Sequence, residues 1–191
     1  RAYGDYLDPA DPGSGGGPYY GAAGAGGGVI RMTVNAATID GAILANGQSG
    51  FWTGDPAGSG GSVRLDVETL SGSGVIAANG GNGYGSGGSG GGGRVALYYA
   101  DMSAFTTANI QSHGGKGAGN AGGAGSVYLK PSDGMGTLRI DTHLTAADTT
   151  PRALTPLGVP GDAVFQVERL VVAGRYAVAV PERSGDRKSV V

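Results

Sequence analysis

The chain has 191 residues, a formal net charge of −2 and 42 glycines. It contains no cysteine, which excludes disulfides and thiolate metal sites. With 13 basic and 15 acidic residues it has no basic patch of the kind that binds nucleic acid, and no apolar stretch reaches the roughly 18 residues of a membrane helix. We therefore expect neither a nucleic-acid partner nor membrane insertion.

Near the start of the chain, three carboxylates stand at equal spacing: Asp5, Asp8 and Asp11. Oxygen ligands of this kind suit Ca²⁺, so one interpretation is a calcium site. The spacing is not that of an EF-hand, and Pro9 and Pro12 among the aspartates are equally typical of an ordinary turn. Calcium is the only cofactor that the sequence suggests.

A repeat dominates the chain from Ile30 onward. Four similar apolar segments each follow a run of glycines, and they begin at nearly equal intervals, at Ile30, Val63, Val95 and Val127. A period of roughly 20–50 residues indicates a repeat architecture in which each unit stacks on its neighbours. Within a unit, apolar residues alternate as in β-strands, and the glycine content disfavours helices.

These patterns predict an all-β fold, a parallel β-helix-like solenoid of about four turns with stacked glycine-rich segments and a short β-rich C-terminal cap. The predicted domains are a solenoid at 1–147, a proline-containing linker at 148–161, and a cap or the start of a next module at 162–191. The fourth unit is expected to run from Val127 to Ile140 without a following glycine run.

The glycine runs allow two interpretations. Ordering a glycine costs about 0.5–1 kcal/mol more than ordering an alanine, so the runs could be mobile loops. Alternatively, segments without Cβ atoms could pack side by side and bond through their backbones. The nearly constant length of the runs favours ordered packing.

Two sets of residues recur at fixed offsets and are expected to form ladders along the solenoid. Tyr19, Trp52 and Tyr84 each precede the next unit by the same interval, and Lys116 takes that place in the last run. This row is either a platform for glycan rings or a structural stack ended by a cation–π contact. A second set, Asn46 and Asn79, with Gln111 at the same offset, predicts a structural ladder of hydrogen-bonded amides.

No group of residues predicts catalysis. His113 and His143 are the only histidines, and neither is accompanied by a serine or cysteine motif or by zinc-ligand spacing. We therefore expect that the protein is not an enzyme.

The segments 3–17, 26–31, 70–81 and 90–99 resemble large secreted bacterial glycine-rich repeat proteins, as does the close of the repeat block at 123–130. That resemblance implies an extracellular or cell-surface location and a scaffold role, with no catalytic residues to carry over. Because the chain begins at Arg1 and ends within a β pattern at Val191, we expect it to be a piece of a larger protein.

Together these observations predict a structural or adhesive module of a larger bacterial surface or filament protein. The alternative is a carbohydrate-binding module, or a phage-type receptor-binding module, that uses the aromatic row on the glycine-rich face. The expected partners are neighbouring repeats of the same protein, other copies of it, or surface glycans.

Overall fold

The structure is a computed structural model that describes residues 5–17, 23–117, 120–144, 151–157 and 165–181. Within these ranges the regular elements are one 3₁₀ turn, Thr107–Asn109, and eleven strands: β1 Val29–Thr38, β2 Ala42–Leu44, β3 Ser62–Gly72, β4 Val75–Ala77, β5 Arg94–Phe105, β6 Ile110–Gln111, β7 Ser126–Pro131, β8 Thr137–Asp141, β9 Thr155–Leu157, β10 Arg169–Ala173 and β11 Ala179–Pro181. None of the described elements is a helix with the length and apolar character needed to cross a membrane.

The strands form a main sheet in the order β1-β3-β5-β7-β8-β10, a second sheet β2-β4-β6 and a two-stranded sheet of β9 and β11. Strands β1, β3, β5 and β7 are parallel, and the register aligns Ile30 with Val63, Val63 with Val95, and Val95 with Val127. The repeat in the sequence is thus one turn of a solenoid. The predicted parallel β-solenoid of about four turns is confirmed.

A single apolar core joins the main sheet to the second sheet. The inward-facing residues of the main sheet are fully buried at equivalent positions of successive turns: Val63, Leu65, Val95, Leu97 and Val127. Ile76 and Ile110 of the second sheet are also fully buried. Burying each such side chain contributes about 1.5–3 kcal/mol. The core is therefore a stack of repeated layers, and each layer is covered by the next.

The glycine runs form an ordered layer beside this core. We call 45–50, 78–83 and 111–117 the outgoing segments, and 55–61, 87–93 and 120–125 the returning segments. Some hydrogen bonds join one turn to the next, as from Gly47 N–H to the Asn79 carbonyl at 2.8 Å. Others join a returning to an outgoing segment, as from Gly93 N–H to the Ala78 carbonyl at 2.7 Å.

At most glycines of this layer the packing is too close for a side chain. A methyl carbon placed on Gly90 would lie less than 3.0 Å from the carbonyl oxygen of Gly58, and one on Gly115 equally close to that of Gly81. Real Cβ atoms essentially never approach other atoms so closely. The interpretation of the runs as ordered, stacked segments is confirmed, because backbone partners satisfy their amides and carbonyls.

The last turn differs from the expected fourth coil. Strand β7 is followed by a turn at 132–134, and β8 pairs with it antiparallel, with Tyr128 opposite Leu138. The predicted unit from Val127 to Ile140 is therefore a hairpin in the main sheet, and among the described residues the chain does not add a fourth strand to the second sheet. The turn-forming residues Ser132, Asp133 and Gly134 explain the reversal.

The C-terminal part covers this end of the solenoid, as the predicted β-rich cap. Strand β10 pairs parallel with β8 and aligns Arg169 with Thr137, which continues the interval of the repeat. Strand β11 pairs parallel with β9, and β9 lies in the segment that was predicted as a linker. Of that linker only residues 151–157 are described.

Candidate functional site

Trp52 and Tyr84 occupy equivalent places at the tip of the glycine layer. Each begins a tight turn, which is closed by a bond from Asp55 N–H to the Trp52 carbonyl (2.9 Å) and from Gly87 N–H to the Tyr84 carbonyl (3.0 Å). Gly54, which has a φ of 95°, also donates its N–H to the Tyr84 carbonyl at 3.0 Å. The structure thus brings Trp52 and Tyr84 together on adjacent turns.

The aromatic side chains at these tips face solvent. Trp52 is 69% exposed, Tyr84 54% and the neighbouring Phe51 53%. Among the described residues, none of these three rings contacts another aromatic ring. Their faces are therefore accessible to a ligand.

The other two members of the predicted row are Lys116 and Tyr19. Lys116 is exposed on the next outgoing segment, where its backbone N–H donates to Asn82 Oδ1 at 2.6 Å. The cation–π contacts of the described residues join Arg64 to Tyr98 and Arg175 to Tyr176, and do not include Lys116. Tyr19 lies outside the described residues.

Asp55 fixes the tip beneath Trp52 and was not identified from the sequence. Its side chain is fully buried, and Oδ2 accepts the Trp52 N–H at 3.1 Å. The other carboxylate oxygen, Oδ1, is buried without a hydrogen-bond partner. The backbones of Gly50 and Gly87 approach Asp55 too closely for a methyl group at either position. The one cue in the sequence is an aspartate directly after the glycine of a tight turn.

Asn46 and Asn79 also lie on adjacent turns, but the bond between them joins a backbone N–H to a side-chain amide and not two side-chain amides. Asn79 donates its backbone N–H to Asn46 Oδ1, and His113 does the same to Asn79 Oδ1, both at 2.7 Å. Asn79 Nδ2 additionally donates to Gln111 Oε1 at 3.2 Å. These side chains therefore accept backbone N–H groups of the next turn and link successive outgoing segments.

The acidic N-terminal segment crosses the outer face of the main sheet, and we call residues 5–11 the strap. Asp8 forms ion pairs with Arg31 on β1 (2.6 Å) and Arg64 on β3 (2.9 Å). The Leu7 carbonyl accepts the hydroxyl proton of Tyr98 on β5 at 2.8 Å. The strap thus ties several turns to one another.

At its far end the strap contacts β7 and the segment that precedes β10. The Tyr6 ring lies 5.4 Å from that of Tyr128 in an edge-to-face arrangement and 5.4 Å from that of Phe165. Its hydroxyl donates to the Gln166 carbonyl at 2.9 Å. Such pairs contribute about 0.5–1.5 kcal/mol beyond the area they bury.

The three strap carboxylates do not converge on a common point. Hydrogen bonding to the Arg31 guanidinium holds the pKa of Asp8 below its usual value, and Arg64 adds to the effect. Asp5 Oδ1 accepts the Leu7 N–H at 2.8 Å, and it is the backbone carbonyl of Asp11 that accepts the Ser62 hydroxyl. Within the described ranges, no three acidic or histidine side chains are placed to hold a metal ion.

A cluster at the closed end of the solenoid brings together the two histidines that the sequence left in separate settings. The rings of His113 and His143 stack with centroids 4.8 Å apart and planes inclined by 27°. His113 Nδ1 lies 3.2 Å from the Asp141 carbonyl oxygen. The pair depends on the reversal after β7, which carries residues 141–144 onto the last outgoing segment.

Arg139 completes this cluster. It faces the same side of the hairpin as Val127, so a cation takes the place of a core residue. Its guanidinium donates to the carbonyls of Thr107 (3.1 Å) and Ile110, where the second sheet ends. Burial lowers the pKa of Arg139, an effect that the Asp141 carboxylate partly offsets. The side chain thus covers the core at this end of the solenoid.

Comparison with known proteins gives no family model, no curated protein and no solved structure that matches this chain. The assignment of a function therefore depends on the geometry.

Proposed function

We propose that this chain is a structural module of a larger bacterial surface or filament protein, acting as a stiff spacer or adhesive stalk without catalysis. The observation that supports this proposal most strongly is the in-register glycine layer. Each turn both donates bonds to and accepts bonds from its neighbours, as between Gly60 N–H and the Gly91 carbonyl at 2.9 Å. Such a layer can be lengthened by adding turns.

The remaining contacts support the same role. The strap joins strands from β1 to the C-terminal cap through side chains such as Asp8 and Tyr6. Arg139 and the cap cover one end of the core. The extracellular, bacterial setting is part of the proposal and is supported by the resemblance of the repeats to secreted glycine-rich proteins.

The proposal predicts that the chain tolerates an added turn. We would insert a second copy of residues 62–93 directly after Gly93, in a Tyr6→Ala, Tyr98→Phe background that removes the strap contacts with Tyr128 and Tyr98 in both proteins. The extra turn should lengthen the particle by about 4.8 Å, the spacing of paired strands. It should also raise the unfolding midpoint by about 3 °C or more, because a net gain of about 1 kcal/mol shifts the midpoint this far.

A shuffled insert of the same composition serves as the control, measured by calorimetry and small-angle X-ray scattering. It should leave the midpoint unchanged or lower it. If the true copy behaved like the shuffled insert, turns would not stack as independent units, and the spacer proposal would lose its support.

Glycan binding at the tip of the glycine layer is the second candidate function. It is favoured by the solvent-facing rings of Trp52 and Tyr84 at equivalent positions of adjacent turns. Sugar rings pack against such faces, while neighbouring polar groups, here Asn82 and Ser86, bond to hydroxyls. Adjacent turns supply one ring each, so an extended oligosaccharide would run along the solenoid axis.

Trp52→Ala tests this candidate by titration calorimetry against a panel of soluble oligosaccharides. We expect at least a tenfold rise in Kd for any sugar that the parent protein binds, since tenfold corresponds to about 1.4 kcal/mol. Met135→Ala, which removes an exposed apolar side chain from the β7–β8 turn, should bind as the parent does. Unchanged binding by Trp52→Ala would exclude the aromatic row.

A further inference from the structure

The closed end of the solenoid is held by contacts that depend on a neutral imidazole. His113 lies on the last outgoing segment, and its ring meets the segment 141–144 through the Asp141 carbonyl (3.2 Å) and the ring of His143 (4.8 Å). Asp141 also accepts the backbone N–H of His143 through Oδ1 at 2.7 Å. Both histidines thus form hydrogen bonds with Asp141.

The hydrogen bonds assign the proton of His113 to one nitrogen. Because Nδ1 faces a carbonyl oxygen, it must carry the proton and donate. The other nitrogen, Nε2, is then an acceptor, and it is buried without a partner. A second proton at Nε2 would create a buried donor with no acceptor, together with a positive charge.

Burial and the surrounding charges together oppose that second proton. Burial lowers the pKa of His113 most strongly, and the charges of His143 and Arg139 lower it further. The backbone carbonyl and the carboxylate of Asp141 act in the opposite direction. Arg139 is itself half-buried and leaves its Nε without a partner, so the interior has no spare acceptor there.

We propose that His113 is an acid-sensitive latch that holds segment 141–144, directly after β8, against the last turn at neutral pH and releases it as the medium becomes mildly acidic. Release would separate the stacked rings and break the bond to Asp141. The end of the last outgoing segment would then be open for contact with other chains.

The direction of the pH dependence follows from linkage. In the open state the ring titrates near its ordinary pKa of about 6.5, whereas in the closed state it binds its proton only at lower pH. The stabilisation is therefore complete above about pH 6.5 and is lost as pH falls towards the closed-state pKa. Between pH 7.5 and 5.5 the open fraction should rise by up to about tenfold.

Hydrogen exchange of segment 141–144, corrected for intrinsic rates, measures this opening at the two pH values. His113 and His143 are the only histidines, so a variant lacking both has no side chain that ordinarily titrates in this window. His113→Asn keeps a donor near the Asp141 carbonyl and should remove most of the pH effect. His143→Asn suits the positive φ of 53° at that position and should reduce the effect only in part.

Equal pH dependence in the parent and in His113→Asn would overturn the proposal, as would tighter closure of the parent at pH 5.5. If His113→Asn did not fold, an NMR titration of the parent provides the decision. A His113 ring pKa below 6.5 supports the latch, and a value at or above 6.5 contradicts it.

Discussion

Gly90→Ala is expected to lower the free energy of unfolding by about 3 kcal/mol or more, the upper end of the range for overpacking a tight interior. The added methyl carbon would overlap the carbonyl oxygen of Gly58 on the preceding turn. Both groups belong to backbones that are fixed by bonds to neighbouring turns, since Gly115 N–H donates to the Gly90 carbonyl at 2.8 Å and Gly81 N–H to the Gly58 carbonyl at 3.0 Å. Neither can move without breaking the layer.

Gly88→Ala is the matched control, because it lies on the same returning segment, close to Gly90. A methyl group there meets no atom within 4 Å. At a position compatible with alanine, the exchange should stabilise the protein by about 0.4–1 kcal/mol, because it reduces the entropy of the unfolded chain. Denaturant unfolding of both variants and the parent measures the difference. Equal stability of the two variants would mean that the segments are not in close contact.

The spacing of the repeats was sufficient to predict the solenoid and its register. Ile30, Val63, Val95 and Val127 align one above another because equal offsets become neighbours once the units stack. The constant length of the glycine runs similarly indicated an ordered layer, since a mobile loop would have no reason to keep its length. Both inferences use only the regular spacing of residues along the chain.

The end of the solenoid could not be predicted in this way because it departs from the repeat. The apolar segment at Val127 looks like the start of another coil, and only the Asp133-Gly134 step marks the reversal that follows. His113 and His143 meet because of that reversal, and the interval between them differs from that of the repeat. Arg139 occupies a core position for the same reason.

The position of the acidic segment at the start of the chain could not be predicted for a different reason. Carboxylates at regular spacing resemble ligands, but Asp8 is neutralised by arginines on two strands that come much later in the chain. The distribution of Arg31 and Arg64 at equivalent positions of two turns was visible in the sequence. What could not be seen was that the segment would cross the sheet instead of folding into a loop.

The second large expected effect is slow hydrogen exchange of the glycine amides. The amides of Gly47, Gly60 and Gly92 are bonded to carbonyls of the next turn at 2.8–2.9 Å. They can exchange with solvent only when turns separate, which requires an opening close to global unfolding. An opening that costs about 4 kcal/mol slows exchange about a thousandfold.

Native-state hydrogen exchange, followed residue by residue by NMR, is therefore the most direct measurement. The amides of Gly47, Gly60 and Gly92 are predicted to exchange about a thousandfold or more slowly than free peptides, while the exposed tip residue Ser86 should exchange rapidly. Exchange of the three glycine amides at the rate of Ser86 would show that the runs are mobile loops, and would contradict the stacked glycine layer.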